Sequence, residues 1–297
     1  MPITRRKLTL GAPLAAGALA CPALADTSPI LIGYPAALTG PSSAPGQGQN
    51  RGVIYIVNKI NAAGGIKGRK IEMVIRDTQS DPTKAVNGVQ EMMANNKVHA
   101  IFGPNSSGEC LATTPIVARR GIPNIHCSGI TQLIDETKYP NAFRQVPNND
   151  QSSNPPSLYC LKTLKLNKVA IIGDSSGYGT AAVKDSVENF KKNGGEVVYQ
   201  AQIDATQPDM MPDMLRMRAS GAQAVLPWTV STGMIARLLN ARGSLGWDVP
   251  FVGHQALGSG EVGQLLEKKE YWRNVFNEGF KNCSFQADGK LPPRTQA

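Results

Sequence analysis

Histidine is almost missing from this sequence: His99, His126 and His254 are the only three in 297 residues. His126 adjoins Cys127, the other two are distant, and no C-x-x-C occurs, so no metal-ligand spacing is present and a zinc site is not expected. Phosphate-cradling loops are missing too. The stretch "GQGQNRG" (Gly46–Gly52) fails the dinucleotide pattern G-x-G-x-x-G because Arg51 stands where the third glycine belongs, and no Walker A sequence occurs. There is no long Lys/Arg run interleaved with aromatic residues, which argues against a nucleic-acid partner. No apolar run is long enough to cross a bilayer, and heptads and low-complexity tracts are lacking. What remains is a protein expected to need neither cofactor nor metal.

Hydrophobic content of 41% against 18% charge is that of a folded globular chain, and 297 residues suffice for two domains of ordinary size. The first residues, "MPITRRKLTLGAPLAAGALACPALADTS", hold a basic stretch (Arg5, Arg6, Lys7), an apolar segment from Leu8 to Ala20, and an Ala23-Leu24-Ala25 cleavage pattern. This predicts an exported precursor with residues 1–25 as signal peptide, cut before Asp26. The run "TRRKLTL" leaves the twin-arginine route open. Ala18 and Pro22 weigh against a lipoprotein cut at Cys21. Cleavage removes three positive charges and no negative one, taking the net charge from +9 to +6. The remaining basic residues are scattered, as on a solvated surface. Cys110, Cys127, Cys160 and Cys283 would then sit in an oxidising compartment, where one or two disulfides can form and the pairing is open.

After Asp26 short β-rich runs alternate with helical stretches. "ILIGY" reads as a buried strand, and Val53, Ile56, Val57 and Ile60 mark an amphipathic helix that stops at Gly64-Gly65. "KIEMVIR" follows as a strand, then a helix opened by Asp81-Pro82, then the strands "HAIFG" and "GIPNIHC". Between Pro140 and Ser157 the rhythm breaks in a cluster of proline, asparagine and serine, as expected where a chain passes between domains. It restarts with "KVAIIG", a helix over 180–193, "EVVYQAQI", a helix over 208–219, "AQAVLPW", a helix over 231–242 and "VPFVGH". Two α/β halves of similar design are predicted, each a parallel sheet flanked by helices. Beyond Leu266 no terminal element is evident.

"GDSSG" (Gly173–Gly177) fits the nucleophile elbow G-x-S-x-G and nominates Ser175, with His254 the only downstream histidine, for a secreted serine hydrolase. An elbow needs the helix to start directly after the serine, and Gly177 and Gly179 intervene. The alternative is a polar loop at a helix N-terminus, and that pattern recurs after five strands: "LTGPSSAPGQG", "GPNSSGE", "CSGITQ", "GDSSGYG" and "GHQALGSGE". In parallel sheets these loops share the carboxyl edge, where open α/β proteins bind ligands. Their hydroxyls and helix N-terminal amides suit a small carboxylate.

The segments "INAAGGIKGRKIE", "DTQSDPTKAV", "IFGPNSSG", "KVAIIGDSSGYG", "GAQAVLPW" and "VPFVGHQAL" resemble the periplasmic branched-chain amino-acid-binding proteins, the substrate-binding subunits of ABC importers. The likeness runs to about Leu266. It implies the two-lobed type I periplasmic-binding-protein fold, with lobe one over 26–146, lobe two over 147–275, and 276–297 beginning a return to lobe one. The family chain continues past this point, so the sequence is expected to be C-terminally incomplete. The resemblance further implies a periplasmic monomer that captures a small molecule and hands it to a membrane ABC permease, without catalysis. A ligand-sensing receptor domain shares the fold and is a further alternative.

Carried over by position, Ser106 and Ser107 fall in the lobe-one loop that binds the ligand carboxylate, and Ser128 where main-chain groups of that lobe touch the ligand. Tyr178 matches a lobe-two tyrosine facing the cleft, and Trp228 and Thr229 the loop that packs over the ligand. Other positions depart from the family. Ile130 stands for a threonine near the ligand amine, Gln255 for the glutamate that neutralises it, and Val230 for an aromatic residue. Ser80 and Ser106 replace the family's cysteine pair. The amine-binding corner has therefore lost its charge, which predicts a ligand such as a keto acid or an aromatic acid over an amino acid.

Overall fold

The computed structural model of the protein describes residues 27–279. The expected signal peptide, Asp26 and Cys283 lie outside the described residues. Ten strands form two five-stranded parallel sheets. The first contains β1 (Ile30–Ala36), β2 (Ile71–Asp77), β3 (Ala100–Phe102), β4 (Asn124–His126) and β5 (Ala142–Arg144), in the order β2-β1-β3-β4-β5. The second contains β6 (Lys168–Asp174), β7 (Glu196–Ile203), β8 (Ala224–Trp228), β9 (Phe251–Gly253) and β10 (Val275–Asn277), in the order β10-β9-β8-β6-β7. Helices α1 (Ser43–Ala62), α2 (Pro82–Ala94), α3 (Ser107–Arg119), α4 (Asn149–Leu158), α5 (Gly177–Lys192), α6 (Met211–Ala219), α7 (Thr232–Ser244) and α8 (Gly260–Gln264) connect them.

Burial explains why these runs become strands. In β6 every residue from Val169 to Asp174 is buried, and β8 is buried along its whole length, as a parallel sheet covered on both faces requires. Two apolar clusters cover opposite faces of the second sheet. One holds Met210, Met214, Leu238 and Phe251; the other holds Ile171, Phe190, Leu226 and Trp228. Lobe one has smaller clusters, around Val89, Met92 and Ile101, and around Cys110, Leu133 and Tyr139.

Each sheet places its first strand between its second and third, β2-β1-β3 and β7-β6-β8. The chain thus turns opposite ways on leaving β1 and β3, and again on leaving β6 and β8, which opens a crevice at each carboxyl edge.

Four local expectations differ from the structure. Helix α1 begins ten residues before the periodic stretch starting at Val53, because Gly46 lets it lie on the end of β1: a Cβ there would stand 2.0 Å from the Ala37 carbonyl oxygen. Its Ile56, expected on the buried face, is 50% exposed beside Ile54 and Tyr55, since α1 rests chiefly on the edge strand β2. The interlobe stretch is also more ordered than its composition suggests. It contains β5 and then α4, which a reciprocal capping box between Asn148 and Gln151 starts despite Pro155 and Pro156. Finally, β10 carries the second sheet to Asn277, past the expected boundary at 275.

Candidate functional site

The lobe-one side of the cleft is the start of α3. Ser106 is its N-cap in extended conformation, so the amides of Ser107, Gly108 and Glu109 have no partner within the helix. Ser107, 3% exposed, accepts a hydrogen bond on its hydroxyl from the Gly129 amide at 3.3 Å, which ties the loop after β4 to the helix start. Beside it, the Asn105 carbonyl accepts from the Ala37 amide at 3.3 Å while its Nδ2 has no partner. The Gly129 carbonyl accepts from the Asn149 amide at 2.8 Å, docking this loop onto α4. The side-chain Nδ2 of Asn149, a residue 2% exposed, is unpartnered.

The lobe-two side is built on Asp174, the last residue of β6. Its carboxylate accepts from the Ser176 amide at 3.1 Å, from the Ser176 hydroxyl, and from the Thr229 hydroxyl at 2.6 Å. The Ser176 hydroxyl in turn accepts from the Gly179 amide at 3.1 Å and caps α5. Gly179 is required here, since a Cβ would meet the Asp174 carbonyl oxygen at 2.2 Å. The Ser- and Gly-rich loop thus orients a helix start. Ser176, not Ser175, reaches the cleft.

Between these walls lies a cleft of about 360 Å³, the size of a small-molecule site. Of the residues singled out in the sequence, Ser106, Ser107, Tyr178, Val230, His254 and Gln255 line it. Ser128, Ile130, Trp228 and Thr229 do not. Ser128 is fully buried, its amide donating to His126 Nδ1 at 3.2 Å and its hydroxyl accepting from the Ile130 amide at 3.1 Å, so it shapes the loop that carries Gly129. Ile130 is drawn into lobe one's core with Cys110, Leu133 and Tyr139. Trp228 is a core residue of lobe two, and Thr229 is occupied by Asp174. Asn105, Asn149, Gln49, Gln145 and Glu278 line the cleft and were not singled out.

The hydrolase pairing does not form. Ser175 is exposed and outside the cleft lining. His254 packs its ring against Tyr178, centroids 5.6 Å apart, and accepts on Nδ1 from the Ala256 amide at 3.3 Å. Burial pushes the His254 imidazole down to about 4, so it is neutral at neutral pH. Burial, assisted by Glu278 and then Asp174, raises the Tyr178 phenol well above its ordinary value, so its unpartnered hydroxyl remains a donor. Burial likewise raises Glu278 to about 7, against a hydrogen bond from Ser152. Cys110, Cys127 and Cys160 are free thiols; Cys127 faces the cleft and accepts from Gln49 at 3.0 Å and Gln145 at 2.6 Å.

Comparison with known proteins agrees with this architecture. "Leu/Ile/Val-binding protein homolog 3" of Brucella melitensis is 26% identical over 245 residues, covering 82% of this chain and 63% of the relative. The chain thus spans less than two thirds of that relative's length. A periplasmic binding protein type 1 from Bordetella pertussis superposes with a TM-score of 0.78 at 26% identity, over 90% of this chain and 72% of the other. The branched-chain amino acid transporter substrate-binding protein LivJ from Streptococcus pneumoniae, solved with isoleucine, gives 0.74 at 25% identity, over 84% and 70%. The profile of one family, described as periplasmic binding protein, matches residues 29–266, and the chain belongs to that family.

Proposed function

We propose that this chain is the solute-binding subunit of an ABC importer, capturing a small carboxylate-bearing solute between its lobes and presenting it to a membrane permease. It works as an exported, periplasmic monomer and does no covalent chemistry. The observation that carries this is a set of unsatisfied donors around one cleft. Asn105 Nδ2, Asn149 Nδ2 and the Tyr178 hydroxyl are buried without partners, and the first amides of α3 open beside them. Buried polar groups are nearly always paired, and each orphan costs about 1–3 kcal/mol, so a ligand rich in acceptor oxygens is the natural complement. No Lys or Arg lines the cleft among the described residues, so the carboxylate is held by amides, hydroxyls and the helix dipole. The isoleucine held by the similar LivJ supports a carboxylate ligand of this size.

A thermal-shift screen of amino acids, keto acids and aromatic acids tests the proposal. A selective rise in melting temperature that scales with ligand concentration is expected. A flat response across all three classes would sink it.

A further inference from the structure

We propose that Cys127 is a thiol–disulfide exchange site inside the cleft, accepting half of a small carboxylate-bearing disulfide and so closing the cleft to solute. The exchange modifies the protein and turns nothing over. That it shuts out solute rests on the solute-binding proposal; the exchange itself does not.

Position separates Cys127 from the other thiols among the described residues. Cys110 and Cys160 are fully buried, one in the core of lobe one and the other in that of lobe two. Cys127 follows β4, is partly exposed and lines the cleft. Two side chains hold its sulfur: Gln145 Nε2 donates at 2.6 Å and Gln49 Nε2 at 3.0 Å. Each of these residues is itself placed. The Gln145 backbone amide donates to the His126 carbonyl at 3.2 Å, and the hydroxyl of the buried Tyr34 donates to Gln49 Oε1 at 3.4 Å. In both bonds the sulfur is the acceptor, the polarity that suits a thiolate, and thiolate is the form that attacks a disulfide. Burial pushes the Cys127 thiol up, and the bonds from Gln145 and Gln49 pull it back. Burial carries Cys160 to about 12.

The reagent's carboxylate has a place as well. Asn149, 2% exposed, lines the same cleft with its Nδ2 unpartnered, and the first amides of α3 open beside it. A disulfide anchored there is presented to Cys127 at raised local concentration. The Cys127 thiol gives its proton to water, and its sulfur attacks the nearer sulfur of the reagent. The reagent's S–S bond breaks, a new S–S bond joins that half to the protein, and the other half leaves as a thiolate that takes up a proton. One disulfide is consumed and one is made, so no further oxidant is needed. The half left behind stands in a cleft of about 360 Å³ that a solute would otherwise fill.

Labelling of the folded full chain at about pH 8 tests this, with 3,3′-dithiodipropionate and the neutral bis(2-hydroxyethyl) disulfide as reagents. Salt at about 0.5 M screens the overall charge. Peptide mapping should find half of the reagent on Cys127, released by dithiothreitol, with Cys110 and Cys160 labelled only after unfolding in urea. Divided by the rate for the unfolded chain, labelling by the dianionic reagent should exceed labelling by the neutral one by at least about threefold. Gln145→Leu should move the pH dependence of the rate upward, which a merely exposed thiol would not show. The inference is overturned if Cys127 stays unlabelled in the folded chain, if Cys110 or Cys160 reacts as fast, or if the two reagents label alike. Any solute that raises the melting temperature should cease to do so after labelling and regain the effect with dithiothreitol, while Cys127→Ser keeps its response throughout. A rise that survives labelling overturns the closure. A flat solute screen removes the closure together with solute binding and leaves the exchange to stand on its own labelling result.

Discussion

Against Gly108, Gly177 has no room for a side chain: a Cβ on Gly177 would stand 2.9 Å from Gly108 Cα and 3.1 Å from its amide nitrogen. These are the second residue of α3 and the first of α5, so the lobes meet backbone to backbone at the two helix starts flanking the cleft. Hinge opening of the lobes would separate the two helix starts.

Gly177→Ala should therefore act on closure. The clash is with backbone, which cannot swing aside, and overpacking of this kind costs roughly 1–3 kcal/mol. Because the cost falls on the closed form alone, ligand affinity should drop about 5- to 150-fold while the melting temperature of the ligand-free protein holds. Small-angle scattering with saturating ligand should show a larger radius than the wild type. Unchanged affinity would mean the two glycines do not meet in the bound state.

Ser107→Ala removes the acceptor for the Gly129 amide and a hydroxyl of the cleft wall. Ligand binding should weaken by about 1.5–3 kcal/mol, the worth of a hydrogen bond to a charged group. Ser175→Ala, at an exposed position outside the cleft, should leave binding as it was. A fluorophosphonate probe labelling the wild type but not Ser175→Ala would reopen the hydrolase alternative.

Asp174→Ala should destabilise lobe two. It frees the Thr229 hydroxyl and the Ser176 amide and hydroxyl in a site where the residue itself is 4% exposed. Losing hydrogen bonds to a buried carboxylate should lower unfolding free energy by about 1.5–3 kcal/mol, read from urea denaturation.

Glu109→Gln should change how stability depends on pH. Glu109 is fully buried in the first turn of α3, near the Thr78 hydroxyl and the Ser106 amide. Burial raises its carboxyl from 4.5 to about 7, and Asp81 and Asp77 add to the effect. Between those values the folded protein holds a proton that the unfolded chain has lost, so this residue's contribution falls as pH rises, by up to about 1.4 kcal/mol per pH unit. The stability of Glu109→Gln relative to the wild type should therefore climb between pH 4.5 and 7 and then level. A difference that stayed flat across the range would refute the assignment. His126 and His254, each depressed to about 4, act in the opposite sense and are common to both proteins.

The exported protein should begin at Asp26, as N-terminal sequencing would establish. Retention of Met1, or lipid on Cys21, would contradict the A-x-A reading of Ala23–Ala25.

The strand and helix rhythm was most legible in the second sheet, whose central strands are buried on both faces and leave near-continuous apolar runs such as Val169–Ile172. The start of α1 was not, since "SAPGQGQ" has the composition of a loop and becomes helical only where Gly46 packs on Ala37. In the site, Ser107, Tyr178 and Gln255 were reached through the resemblance to the family, by position in loops that follow clearly marked strands, and they line the cleft. Trp228 and Ile130 misled because position along the chain says nothing about which way a side chain turns at a strand end. Glu278 went unnoticed because β10 is three residues long, too short for alternation to register. Its β-branched and aromatic "VF" was the only local signal.

The meeting of two helix starts has an electrostatic corollary. Each carries roughly half a positive charge, and like poles brought together repel. In the empty protein, then, the lobes are nudged apart by the very groups that would grip a ligand. A carboxylate lodged alongside cancels that repulsion and turns it into attraction toward both helices. On the proposed function the anion would act as a clasp as well as cargo, and the hinge would need to store no strain of its own to spring open once the solute had gone.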